Sequence, residues 1–276
     1  MAARKAIQKA FGAFTVDVVP VLKDNFSYII TDAATNATAF VDVSEVAPLL
    51  QLVGPRPSWI AETQRSPSGP VVVLSTHKHW DHSGGNKDII AKFPDVRIYG
   101  GEHEPVPHLT NALKHGETFH IGSLSVDVYH TPCHTAGHVL FHVFHPDARD
   151  DGAVFTGDTV FAGGIGAFFE GNSELMLKAL ELFAALPDST SVFPGHDYTL
   201  NFLKFAATVT PKDDFINSQV AKYTAQKEAG EPSVPSTVAD EKKQNVFVRV
   251  LDPAFRALLG KPDSIELMQH LYDTCP

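Results

Sequence analysis

Apolar and polar residues alternate from Phe14 to Pro20, with Phe14, Val16 and Val18 on one side, which predicts a half-buried strand. Phe26 to Thr31 and Thr38 to Val43 read as two more strands, joined by a turn around Ala34-Thr35-Asn36. The run Val71-Val72-Val73-Leu74 predicts a buried strand that ends at Ser75. Lys87 to Phe93 is patterned as a helix, Val96 to Tyr99 as a short strand, and 100–116 as irregular chain with two prolines. Leu124 to Tyr129 alternates again, Val139 to Phe144 is apolar, and Ala153 to Phe155 leads as a buried strand into Thr156-Gly157-Asp158. Leu175, Met176, Ala179, Leu180 and Phe183 line one side of a helix over Ser173–Leu186, with Ser173 as its cap and Pro187 past its end. From Thr199 onward the strand pattern stops, and Phe215 to Ala229, Pro253 to Leu259 and Ser264 to Leu271 read as helices. The expectation is an α/β domain of packed sheets covered by helices over 1–198, followed by a helical domain over 199–276. The segment 54–70, rich in proline and serine, reads as an exposed insertion.

Composition narrows the class. The hydrophobic fraction of 43% and charged fraction of 20% over 276 residues are those of a soluble globular protein. No apolar run is long enough to span a bilayer. Cys133 and Cys275 are the only cysteines, so no disulfide framework exists and a reducing compartment is expected. Asn25-Phe26-Ser27 and Asn36-Ala37-Thr38 match a glycosylation pattern by chance. A net charge of −10 weighs against nucleic acid and favours a cationic small molecule as partner. The first residues carry Arg4, Lys5 and Lys9 with no acid, and Ile7, Phe11 and Phe14 can share a helix face. A mitochondrial presequence would look like this, but the stretch is short and poor in serine, so cytoplasm is the expected location.

The chemistry begins at Thr76-His77-Lys78-His79-Trp80-Asp81-His82-Ser83-Gly84-Gly85-Asn86. Imidazoles and a carboxylate at this density after a buried strand suit borderline divalent metals, and no cysteine competes for the site. His77 and His79 point to one side of an extended segment, while Asp81 and His82 follow after the chain has turned and can face a second point. Gly84-Gly85 lets the backbone bend where a Cβ would clash. His134, Asp158 and His196 each lie at a strand end among small, turn-forming residues, as a metal site assembled on a sheet's carboxyl rim requires.

With these motifs in hand, the chain resembles the metallo-β-lactamase superfamily and, within it, the glyoxalase II (hydroxyacylglutathione hydrolase) family. Thr-His-Lys-His-Trp-Asp-His, Thr-Pro-Cys-His-Thr-Ala-Gly-His, Phe-Thr-Gly-Asp-Thr and Gly-His-Asp-Tyr-Thr occur in that family's order. The resemblance continues through Phe168-Phe169-Glu170-Gly171 and Val234-Pro235-Ser236-Thr237 to Asn245-Val246-Phe247-Val248-Arg249-Val250. It implies an αββα sandwich with a C-terminal helical domain and two divalent ions, with zinc preferred and iron or manganese as alternatives. His77, His79 and His134 would hold the first ion, Asp81, His82 and His196 the second, and Asp158 would bridge them. His138 would support the ligands rather than coordinate, and Cys133 would only pack. Water activated between the ions would attack a thioester carbonyl, with Asp81 helping to orient it, in a small-molecule hydrolase expected to act as a monomer.

Two features depart from the glutathione-using members. Those usually carry Cys-Gly-Arg or Cys-Gly-Lys before the paired aromatics, where this chain has Ile165-Gly166-Ala167. They also place an arginine and a lysine three residues apart near the C-terminus, where this chain has Tyr272 and Cys275. A free carboxylate against such a wall would lack a charge partner. In this respect the chain resembles the trypanosomatid form of the family, which hydrolyses S-D-lactoyltrypanothione. That resemblance implies a thiol-binding set of Ile165, Phe169, Tyr198, Tyr272 and Cys275, with Asn201 nearby. S-D-lactoylglutathione is the alternative substrate, and a catalytically dead thiol- or polyamine-binding module the alternative of another class.

Overall fold

The computed structural model describes residues 4–53 and 71–276, so the insertion expected at 54–70 lies outside the described residues. Seven strands form one sheet in sequence order: β1 (Ile7–Ala10), β2 (Phe14–Val21), β3 (Asn25–Asp32), β4 (Thr38–Val41), β5 (Val72–Leu74), β6 (Arg97–Gly101) and β7 (Asn111–Leu113). The second sheet contains β8 (Thr118–Ile121), β9 (Leu124–His130), β10 (Val139–His145), β11 (Ala148–Gly157), β14 (Ser191–Pro194) and β15 (Ser236–Thr237), in the order β15-β14-β11-β10-β9-β8. A small hairpin, β12 (Val160–Phe161) with β13 (Gly164–Ile165), stands apart from both.

The two-residue period of the strands sorts their side chains into layers. Phe26, Tyr28 and Ile30 of β3, Val72 and Leu74 of β5, and Val139, Phe141 and Val143 of β10 meet in one core between the sheets. The alternate residues face outward. Ile29, Phe40 and Val73 pack beneath the helices Val46–Val53 and Asn86–Lys92, and Leu140 and Val154 beneath Ser173–Ala184 and the C-terminal helices. The result is a four-layer α/β/β/α sandwich with helices Thr199–Val209, Asp214–Glu228, Val238–Gln244, Pro253–Leu258 and Ser264–Thr274 gathered at its C-terminal side. Between the sheets, Phe155 and Phe193 stack with centroids 5.3 Å apart. Burying each such ring contributes about 1.5–3 kcal/mol.

Four expectations need correction. The first residues do not form a helix: Ile7–Ala10 is an edge strand paired antiparallel with β2, because Ile7 and Phe11 bury against the central core and Phe11 stacks on Phe14 at 4.3 Å. The helix at Ser173 is capped by Asn172, whose side chain accepts the Leu175 N–H at 3.0 Å, while Ser173 Oγ donates to Gln269 Oε1. The stretch 100–116 contains β7, parallel to β6, whose three residues are too few to show a period. Strands do not stop at Thr199 either, since Ser236 and Thr237 pair antiparallel with β14 and join the helical part to the second sheet.

Candidate metal centre and the adjoining cavity

Parallel pairing of β4, β5 and β6, and of β11 and β14, brings several strand ends to one rim. Asp42 follows β4, the histidine-rich loop follows β5, Asp158 follows β11, and His196 follows β14. His134 enters from the loop between β9 and β10. A short helix, Trp80–Ser83, turns Asp81 and His82 away from the line of His77 and His79. Both glycines after it are obligatory, since a Cβ at Gly84 would lie 2.4 Å from the Trp80 carbonyl and one at Gly85 2.8 Å from that of Val43.

The seven expected ligand residues converge. His77 Nε2 and His134 Nε2 lie 3.0 and 3.1 Å from His79 Nδ1. On the other side, His82 Nε2 and His196 Nε2 are 3.3 Å apart, and each lies within 3.6 Å of Asp81 Oδ2. Asp158 reaches both groups, with Oδ1 3.3 Å from His82 Nε2 and Oδ2 3.4 Å from the Nε2 atoms of His134 and His196. His138 is not part of either cluster. It stacks on His77 with centroids 4.9 Å apart, and its Nε2 accepts the Asp158 N–H at 3.1 Å. Cys133 is buried, its thiol pushed up to about 12 by burial, which removes it as a nucleophile at neutral pH.

The donor set fits a pair of divalent ions. Nδ1 of His134 meets the Ala167 carbonyl at 3.0 Å, Nδ1 of His196 meets Asp24 at 3.0 Å, and Nδ1 of His82 meets Asp42 at 2.9 Å. A proton held on Nδ1 leaves Nε2 as a lone pair aimed inward, which is how a metal-binding imidazole is fixed. Asp158 Oδ1 is buried and makes no hydrogen bond. Protonation follows the same fields. Burial holds His77 well below the ordinary imidazole range and lowers His134. Burial also opposes charge on His82 and His196, but Asp158, with Asp42 or Asp81, outweighs it, raising His82 well above its usual value and His196 to about 10. Asp158 stays ionised despite its burial because His82 and His196 face it. A site that attracts protons this way attracts a cation in their place.

Beside the centre lies a cavity of about 650 Å³ lined by Phe161, Ile165, Ala167, Tyr198, Asn201, Phe202, Phe247, Tyr272, Asp273, Cys275 and Pro276. Four of the five expected substrate residues thus share it: Ile165, Tyr198, Tyr272 and Cys275. Tyr272 stacks on Phe168 at 3.9 Å and its hydroxyl accepts the Phe168 N–H at 3.0 Å, so it is fixed rather than frayed. Tyr198 stacks on His196 with centroids 4.7 Å apart. Phe169 is placed elsewhere. It is 68% exposed and lines, with Trp80, a second cavity directly over His79, Asp81, His134, Asp158 and His196.

Sequence reasoning missed the residues that hold the expected ligands in place. Asp42 also accepts the Thr76 N–H and hydroxyl, each at 2.8 Å. It follows an apolar strand as the ligands do, and the same rule would have found it. Asp24 precedes β3 and Asn25 opens it without such a signal, yet Asn25 donates to Asp81 Oδ2 at 2.9 Å.

The fold and centre define a metallo-β-lactamase-type hydrolase, and comparison with known proteins agrees. Residues 44–196 match the model of the metallo-beta-lactamase superfamily, and residues 197–273 that of the hydroxyacylglutathione hydrolase C-terminus. A similar protein is the cytoplasmic hydroxyacylglutathione hydrolase of Arabidopsis thaliana, 38% identical over 92% of this chain and 95% of that one. Another is the hydroxyacylglutathione hydrolase of Synechococcus sp. (strain JA-3-3Ab), 35% identical over the same shares of the two chains. The fold is shared with a metallo-beta-lactamase from Staphylococcus aureus subsp. aureus COL, at a TM-score of 0.62 and 19% identity over 96% of this chain and 68% of that one. The chain belongs to the hydroxyacylglutathione hydrolases, the glyoxalase II family of metal-dependent thioester hydrolases. Among the described residues, no helix is long and apolar enough to cross a membrane.

Proposed function

We propose that the protein hydrolyses S-D-lactoyl thioesters of a glutathione-type thiol to D-lactate and free thiol. The observation that carries this is a seven-residue His/Asp centre opening beside a cavity large enough for a peptide thiol. His77, His79 and His134 are assigned to one ion, Asp81, His82 and His196 to the other, and Asp158 to both. Zinc suits these ligands best, with iron and manganese compatible. Ions bound there would supply an activated water and stabilise charge on the carbonyl oxygen. Asn25 pins Asp81 at Oδ2, which holds that carboxylate in place to orient the attacking water. Residues 1–198 are read as the catalytic part and 199–276 as the part that recognises the thiol. Two free cysteines suit the cytoplasm.

The names of the relatives support glutathione as the thiol. One observation favours a second reading, S-D-lactoyltrypanothione: among the described residues no lysine or arginine lines the larger cavity, and Asp273 does. A thiol whose carboxylates are amidated to a polyamine meets that wall without stranding a charge. Measuring kcat/KM for both thioesters on metal-loaded protein decides. Preference for the glutathione thioester supports the first reading, preference for the trypanothione thioester the second, and hydrolysis of neither refutes both.

A further inference from the structure

Glu104 lies in the loop after β6, outside both cavities, and is 3% exposed. Its backbone is tied on both sides, since its N–H reaches the Gly101 carbonyl at 3.0 Å and its own carbonyl accepts the Val106 N–H at 2.8 Å. The carboxylate is therefore aimed. Oε1 accepts the backbone N–H of Lys78 at 2.8 Å, and Oε2 accepts the backbone N–H of Gly137 at 2.9 Å. Those two donors belong to different ligand loops. Lys78 stands between His77 and His79, and Gly137 stands three residues after His134.

Each loop is stiff enough to pass on that anchoring. On one side the N–H groups of Thr76 and Lys78, which bracket His77, are taken by Asp42 and Glu104 respectively. On the other, the Thr131 N–H closes on the His138 carbonyl at 2.8 Å and the Cys133 N–H on Thr135 at 3.1 Å, so His134 moves with its loop. Glycine is required at the clasp, because a Cβ on Gly137 would lie 2.6 Å from Glu104 Oε2 and 2.5 Å from the Glu104 nitrogen. A second, outer clasp joins the same two loops. Glu170 meets Lys78 Nζ at 2.5 Å and accepts the Ala136 N–H at 2.7 Å, but at the surface, where water competes.

We propose that Glu104 is a positioning residue for one ion of the pair: it fixes the spacing between the 76–79 and 131–138 loops, and hence how tightly His77, His79 and His134 hold their metal. Three imidazoles from two loops reach a common nitrogen–metal distance of about 2.0–2.1 Å only if the loops are held in register. Buried carboxylate acceptors set that register at little entropic cost, since both donors are backbone groups. The inference rests on assigning those three histidines to a single ion.

The test is competition with a chromophoric chelator, using full-length zinc-loaded wild type, Glu104→Ala, Glu104→Gln and Glu170→Gln. In Glu104→Ala one ion is expected to loosen by about 10–100-fold while the other keeps its affinity. Glu104→Gln preserves volume and one acceptor, so it gives a smaller loss at the same ion and serves if the alanine variant fails to fold. Glu170→Gln is expected to shift that ion less than either. Unchanged affinities in a folded Glu104 variant, equal loosening of both ions, or a larger effect at Glu170 would each overturn the role. Wild type that takes up no ion would instead overturn the underlying metal assignment.

Discussion

Asp158 is the residue on which the two halves of the centre meet, with one oxygen toward His82 and the other toward His134 and His196. Asp158→Ala is therefore expected to weaken metal retention by more than about 100-fold and to remove turnover with it. Metal content by mass spectrometry and an initial-rate assay check this, and full activity with two ions bound would refute the bridging role. Ala167 carries the matching prediction for the thiol, since its main-chain oxygen meets His134 Nδ1 and the residue stands on the wall shared by the two cavities. Ala167→Lys should leave the ligand in place and lower KM for S-D-lactoylglutathione by about tenfold, a charge-assisted contact of about 1.4 kcal/mol. All seven residues of the centre were legible in the sequence because each is a histidine or aspartate in or just after a strand end, beside turn-forming residues. Asn25 and Glu104 were not, since they act on residues 56 and 26 positions away and carry no local sign of it.

At the scale of elements, Asp32 at the end of β3 fastens one sheet to the other. Its carboxylate accepts the Ser123 N–H at 2.8 Å and hydroxyl at 2.9 Å, from the turn between β8 and β9, together with the Thr35 hydroxyl. Burial would raise its pKa, but these donors win and hold it below the usual carboxylate value. A folded pKa below the unfolded one, about 3.9, means the contribution is present above that pH and is lost as pH falls through the folded value. Asp32→Asn should cost about 1–3 kcal/mol at pH 7, and the gap to wild type should shrink under acid. Urea unfolding across that range measures it, and a constant gap would show that charge is not involved. Long alternating strands such as β2 and β3 were readable from their period. β7, β12, β13 and β15 have two or three residues each and owe their form to neighbours distant in sequence. The N-terminal stretch misled because helical spacing and edge-strand burial can both use Ile7 and Phe11.

The whole molecule carries a net charge of −10, and among the described residues its larger cavity presents Asp273 and no basic side chain. A cationic thioester should therefore be drawn in, and its kcat/KM should fall as salt shortens the Debye length from about 30 Å at 0.01 M to about 8 Å at 0.15 M. An anionic thioester should show no such fall. A salt series on both substrates reads the sign directly, and equal slopes would show that the field of the protein plays no part. The two cavities meet along a common wall of Phe161, Ala167 and Tyr198, while Trp80 and Phe169 border only the smaller and Tyr272 and Cys275 only the larger. If the larger cavity takes the thiol and the smaller the acyl group, the catalyst is modular. Libraries at the exposed aromatic pair can retune which acid is released, libraries at the tail can retune which carrier is accepted, and the two sets of changes should combine additively.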